Sequence, residues 1–256
     1  MKAIIVGSGN VASSLGVALQ KSGLDVVMIY GRTIESVSAL ASVMDAPYTL
    51  SLDELPYDAD ICFSMLADDA LLKLASKIVS GRENMLFVHT AGSIPLSLWA
   101  DAGAKKYGVF YPMQTFSKGK DVDWSNLPVF VEGNTNQTLE IIKGVADSVS
   151  GNVQVLNSED RKRLHLAAVF ACNFANRMFA ISESLLESSG VSFDVMLPLV
   201  KEMVNKVERI SPAKAQTGPA MRNDQKVMQT HLDLLKDTPQ WAELYHLISE
   251  DIIKSR

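Results

Sequence analysis

Two sets of residues carry chemistry in this chain, one at its start and one near its middle. The first is Gly7-Ser8-Gly9-Asn10-Val11-Ala12, a G-x-G-x-x-A pattern. Gly7 permits a tight turn out of a strand, and Gly9 lets the backbone approach a pyrophosphate. Ala12 lets the following helix pack closely on that strand. Ser8, Asn10 and Val11 complete the turn, where the free N–H groups of a helix start attract an anion. An NAD site places an acid about 20 residues beyond the glycines. Here the sequence is Gly31-Arg32-Thr33. Arg32 suits a 2′-phosphate and Thr33 a hydrogen bond to it, so the expected cofactor is NADP (NADPH).

The second set lies on a long helical stretch and comprises His165, Asn173 and Asn176. At about 100° per residue these positions share a face. The apolar run Leu166–Cys172 between them predicts burial, where amides need partners or a cleft. Histidine exchanges a proton near neutral pH, so His165 is the candidate proton donor for hydride transfer. An interdomain structural hydrogen bond is the competing role. Asn173 is expected to orient the substrate oxygen and Asn176 to touch substrate, although Arg177 beside Asn176 suggests emergence into solvent.

Loops at strand ends contribute the rest. Leu66, Ala67, Thr90 and Ala91 are expected to line the cofactor, and Ser93 and Gln114 the substrate. Capping of the helices they introduce is the alternative for Thr90, Ser93 and Gln114. His89, ending an apolar strand, reads as a buried histidine with its hydrogen bonds satisfied. In Gln216–Asp224, Thr217 or Gly218 opens a helix with Pro219 in its first turn. Arg222 there is a candidate for a substrate carboxylate, or else a surface partner of Asp224. No nucleophile elbow, P-loop lysine or Cys/His metal cluster is present in the sequence, so hydrolase, kinase and zinc chemistry lose support and no metal is expected.

These residues need a scaffold, and the hydrophobic pattern supplies one. Ala3–Val6, Val26–Tyr30, Asp60–Leu66, Met85–His89, Tyr107–Tyr111, Leu127–Glu132 and Val153–Leu156 read as strands. Helical patterns occur at Val11–Gly23, Glu35–Met44, from Asp68 as cap to near Gly81, and from near Thr135. This alternation predicts an α/β doubly wound Rossmann domain over residues 1–156. At 157 the pattern changes. Ser158 is a good N-cap, and a helix of about 30 residues, roughly 45 Å, runs to Ser189. Further helices follow at Phe193–Ile210, after Pro219 and at Gln240–Ile253. Residues 157–256 therefore read as an all-helical substrate and dimerisation domain.

With 24 basic and 29 acidic residues the net charge is −5, which argues against a general nucleic-acid or anionic-membrane partner. Cys62 and Cys172 read as small buried hydrophobes. No stretch is expected to span a bilayer, and no signal peptide is read at the N-terminus. A cytoplasmic setting is the expectation.

The motifs G-S-G-N-V-A, G-R-T, H-T-A-G-S, Y-P-M-Q-T-F and T-G-P-A-M-R-N-D together resemble one family across nearly the whole chain. It is a Rossmann-like NADP oxidoreductase family with a helical C-terminal domain of formerly unknown function. It is similar to ketopantoate reductase, pyrroline-carboxylate reductase and phosphogluconate dehydrogenase. The resemblance implies reduction of a small 2-keto acid, with ketopantoate first to try, or of an imine acid, in an interdomain cleft. It also implies a homodimer through the helical domain. Ketopantoate reductases carry Lys, Asn and Asn at spacings of four on the long helix. Here His165, Val169 and Asn173 occupy those positions, so only Asn173 matches. Oxidation of a hydroxy acid and a non-catalytic NADP-binding sensor are the alternatives.

Overall fold

A computed structural model describes residues 1–255. The chain forms two compact units, Met1–Ala175 and a second from Asn176 onward.

The first unit contains an eight-stranded sheet. Its strands are β1 (Lys2–Val6), β2 (Asp25–Tyr30), β3 (Tyr48–Thr49), β4 (Ile61–Ser64), β5 (Leu86–His89), β6 (Lys106–Pro112), β7 (Val129–Gly133) and β8 (Val153–Val155). The order is β3-β2-β1-β4-β5-β6-β7-β8, the doubly wound arrangement extended at one edge. A π-helical turn, Ala12–Gly16, leads into α1 (Val17–Lys21). Then come α2 (Ile34–Met44), α3 (Asp68–Val79), α4 (Ser97–Asp101), α5 (Asn136–Asp147) and α6 (Ser158–Ala168). Pairing is parallel except between β6 and β7. The stretch between those two strands holds no helix, so the chain turns back as an antiparallel neighbour instead of crossing over.

Residues Ala3 to Val6 are at most 1% exposed, and their alternation divides the core. Ala3 and Ile5 join Leu15, Leu40, Met44 and Ile142 on one face. Ile4 and Val6 join Leu71, Ile78, Phe87 and Trp99 on the other. A strand covered on both faces reads as a continuous apolar run for this reason.

The helix from Ser158 begins as expected but is capped differently. Asn157, not Ser158, accepts the N–H of Asp160 at 2.9 Å. That frees Ser158 for the sheet. Its hydroxyl donates to Glu132 at 2.8 Å and accepts the N–H of Leu96 at 2.9 Å. Arg161, fully buried, binds Glu132 and donates to the carbonyl of Ile94 at 2.6 Å. These bonds tie α6 to the sheet. The strands do end before 157, but the compact units divide later, at Ala175/Asn176.

The helix changes pitch in a π-helical segment, Val169–Phe174, and continues as α7 (Ala175–Glu187). The expected burial of Leu166–Cys172 fails. Leu166 is 57% exposed, Phe170 63%, and Cys172 is exposed while Cys62 is buried. Nor is bilayer-spanning length absent. Among the described residues the 30-residue helix Ser158–Glu187 holds an 18-residue window of mean hydropathy 1.3, long and apolar enough to cross a membrane by length and composition.

The second unit continues with α8 (Leu197–Arg209), α9 (Pro212–Ala215), α10 (Pro219–Arg222), α11 (Gln225–Leu234) and α12 (Pro239–Lys254). Within it an apolar cavity of about 270 Å³ is lined by Met178, Ile181, Thr217, Trp241, Tyr245 and Ile248.

Candidate active site

Strand register sets out one end of the sheet. Val6 pairs with Tyr30 and Ser64, and Ser64 with His89. The next residues, Gly7, Gly31, Met65 and Thr90, therefore stand in a row at the carboxyl ends of parallel strands, where ligands bind in such sheets. The N–H of Gly7 donates to Tyr30 O and that of Met65 to Val6 O, both at 2.8 Å.

Gly7 has φ +128°, and a Cβ there would lie 2.6 Å from the Met65 carbonyl oxygen. Only glycine fits. A Cβ on Gly9 would meet nothing within 4 Å. No protein atom demands glycine there, so the open space suits a phosphate brought against the backbone. Ala12 is fully buried in the core. Asn10 donates from Nδ2 to the carbonyl of Phe116 at 3.0 Å, and Val11 packs at the core margin. These features fit a dinucleotide pyrophosphate.

At the tip of β2, Arg32 and Thr33 are exposed. Thr33 and Ser8 each share a 2.8 Å hydrogen bond with the hydroxyl of Ser36. Arg32 forms no ion pair among the described residues. A free guanidinium beside three linked hydroxyls fits a 2′-phosphate. Ser36, in the first turn of α2, is a residue that the sequence reading missed. Its signal was a hydroxyl three positions after Thr33.

Leu66 and Ala67 leave β4, and Thr90 and Ala91 leave β5, at the same end. Asp68 does not cap α3 as expected. Ala67 is the N-cap, and the Asp68 carboxylate accepts the hydroxyl of Ser93. Gln114 is exposed and accepts the N–H of Thr115 at 2.8 Å. His89 is buried, and its Nδ1 accepts the N–H of Ala91 at 3.2 Å. Burial, with the Arg161 charge second, pushes its pKa down to about 3. It stays neutral and cannot donate a proton at neutral pH.

His165, half-buried on α6, meets the Tyr111 hydroxyl with Nδ1 at 3.1 Å. A Cβ on Gly92 would lie 2.6 Å from Nδ1 and 3.0 Å from the Tyr111 ring. Gly92 thus leaves the space that His165 and Tyr111 occupy. Burial raises the Tyr111 pKa, with Arg161 opposing. The hydroxyl either donates to Nδ1 of a neutral ring or accepts from Nδ1 of a protonated one. Nε2 has no hydrogen-bond partner among the described residues. The sequence reading had His165 but not Tyr111, whose only signal was its place at the end of a buried strand.

Asn173 and Asn176 are exposed and make no side-chain hydrogen bond among the described residues. The π-helical segment intervenes, and its wider turn breaks the 100° spacing that set them on one face with His165. Arg222 ends the four-residue α10, exposed and without an ion pair to Asp224, which instead caps α11 by accepting the N–H of Val227 at 3.2 Å. Among the described residues no cluster of His, Cys, Asp or Glu could hold a metal ion.

Comparison with known proteins agrees with this geometry. Residues 1–89 match the shikimate/quinate 5-dehydrogenase family, and residues 127–252 match a domain of unknown function, DUF2520. No curated protein matches the chain. A crystal structure from Bacteroides fragilis, provisionally assigned as an NADP oxidoreductase, is 44% identical over 99% of this chain and 98% of its own, with a TM-score of 0.93. An imine reductase from Myxococcus stipitatus, solved with NADP+, is 16% identical over 100% and 95%, with a TM-score of 0.72. A reductive aminase from Aspergillus terreus, solved with NADPH and ethyl-5-oxohexanoate, is 14% identical over 99% and 93%, with a TM-score of 0.74. These last two share the fold. Membership of an enzyme family weighs against the non-catalytic sensor. A Rossmann first unit, a DUF2520 second part and near full-length similarity at 44% identity place this chain in the family of Rossmann-type NADP oxidoreductases with a DUF2520 C-terminal domain.

Proposed function

We propose that the chain uses NADPH to reduce a small carbonyl or imine acid, with His165 as proton donor. The observation that carries this reading is the His165–Tyr111 pair set into the space left by Gly92. Gly7, Ser8, Gly9, Asn10 and Val11 would hold the pyrophosphate, and Arg32 and Thr33 the 2′-phosphate. Leu66, Ala67, Thr90 and Ala91 would border the nicotinamide. Bound NADPH supplies the hydride. As negative charge grows on the substrate oxygen or nitrogen, a His165 ring that carries both protons gives up the one on Nε2 and is left as neutral imidazole, while the Tyr111 hydroxyl fixes the ring by accepting the Nδ1 proton as a hydrogen bond. Asn173, Asn176, Ser93, Gln114 and Arg222 are kept as substrate contacts to be tested by substitution.

One observation favours an imine over a keto acid. Asp68 presents an exposed carboxylate held by Ser93, the neighbour of Gly92. A protonated imine is attracted to that charge, whereas a keto-acid anion is repelled. NADPH oxidation across paired 2-keto acids, ketopantoate included, and cyclic imine acids tests the reading. Turnover of either class supports a reductase, and faster imine turnover that falls in Asp68→Asn supports the second part. NADPH binding without turnover of any carbonyl or imine would overturn it.

We also propose a homodimer. Phe170 and Phe174 stack edge to face at 4.9 Å, 63% and 48% exposed, and Leu199, Met203 and Val207 are exposed on α8. Such apolar surface calls for a cover, and a second copy supplies one. Sedimentation of the chain against Phe170→Asp tests this.

A further inference from the structure

Between β6 and β7 the chain forms a strap that lies against the glycine-rich turn. Asn10 anchors it through the Phe116 carbonyl at 3.0 Å. Phe116 stacks on Trp124 at 5.7 Å and 24°, closing the strap on itself. It reverses at Gly119, where φ is +75°. The reversal brings Lys118 and Lys120 to the wall of a cavity of about 270 Å³, facing Ser13, Ser36 and Val43. Both lysines are exposed, and neither forms an ion pair among the described residues. Asp121 is the acid on the same wall. Asp123 is turned to its own backbone, accepting the N–H of Ser125 at 2.9 Å.

Ser36 belongs to two structures at once. It lines this cavity, and its hydroxyl joins Ser8 and Thr33 at the tip of β2. The two lysines therefore share a cavity with Ser36, the middle member of the Ser8–Ser36–Thr33 cluster, while Arg32 stands next to Thr33 in the chain. We infer that Lys118 and Lys120 form the second wall of the adenosine 2′-phosphate site, so that the strap, with Arg32, sets the preference for NADP over NAD. A phosphate dianion gains charge-assisted bonds from each ammonium. Two free cations against one acid leave that wall net positive.

The inference rests on NADP use but not on the proton donor, so binding tests it independently of turnover. The probes are 2′,5′-ADP and 5′-AMP, which differ only in the 2′-phosphate, measured by calorimetry on the whole chain. Wild type should bind 2′,5′-ADP more tightly. Lys118→Ala/Lys120→Ala should cut that advantage by about tenfold, the size of a hydrogen bond to a charged group, and leave 5′-AMP affinity unchanged. The advantage should also shrink with added salt. Lys118→Arg/Lys120→Arg should restore it. An unchanged ratio in the alanine variant, an equal loss for both probes, or no 2′-phosphate preference in wild type would overturn the inference. A chain that keeps the preference but turns over no substrate would overturn only the reductase reading.

Discussion

β1 and the long helix from Ser158 each carry an apolar run, and the two runs meet opposite fates. Ile4, Ile5 and Val6 are wholly buried, with partners on both faces of the sheet. The helix has one buried residue, the charged Arg161, while Leu166, Phe170 and Phe174 face outward. Apolar pattern alone therefore states that a surface must be covered, not by what. In β1 the cover is the chain's own helices. On the long helix the chain supplies none at these positions within the first unit. The helix is held instead at its polar start, through Ser158 and Arg161 on Glu132.

This contrast can be broken by substitution. The largest effects should come from its fixed points. Phe63→Ala in β4, at 0% exposure, should cost about 3–5 kcal/mol. Glu132→Ala should cost a similar ~3–5 kcal/mol, because it strands a buried guanidinium. Chemical denaturation with a fixed slope checks both. Gly7→Ala comes next, at about 2–4 kcal/mol from backbone strain and the approach to Met65. NADPH affinity should fall with it, read by fluorescence titration.

A smaller effect depends on pH. His89 has a folded pKa of about 3, below its ordinary 6.5. Between those values the unfolded chain binds a proton that the folded chain refuses. Stability is therefore complete above about pH 6.5 and is lost as pH falls towards 3, by up to about 1.4 kcal/mol per pH unit. Denaturation series at pH 7, 6 and 5 should show a shallower slope in His89→Gln. The smallest effect is expected where the helix is uncovered. Phe170→Ala, measured at dilution, should change stability by within about 0.5 kcal/mol. A loss as large as that of Phe63→Ala would break the contrast.

Legibility in the sequence follows the same division. The glycine turn and the alternation of strands and helices were readable because short-range geometry dictates them. Gly7 is required by a φ of +128° and a neighbouring carbonyl, and an apolar β-branched run needs two covered faces. Ser36 and Tyr111 were harder to read, since Ser36 leaves only a local trace three positions after Thr33, and each meets a neighbour distant in sequence, Ser8 and His165. The N-cap at Ser158 was misplaced because Glu132, a strand away, claims that hydroxyl. Asn173 and Asn176 were aligned with His165 by a pitch that the π-helical segment does not keep. No local pattern announces such a segment.

The central claim is that His165, held by Tyr111, gives the proton in an NADPH-dependent reduction. Its most direct test is kcat for His165→Asn, measured with saturating NADPH and the best substrate from the panel, beside the Kd for NADPH. The account predicts a fall of about 10²–10⁴-fold in kcat, with Kd unchanged and a smaller fall in Tyr111→Phe. A kcat equal to that of the unaltered chain would contradict it.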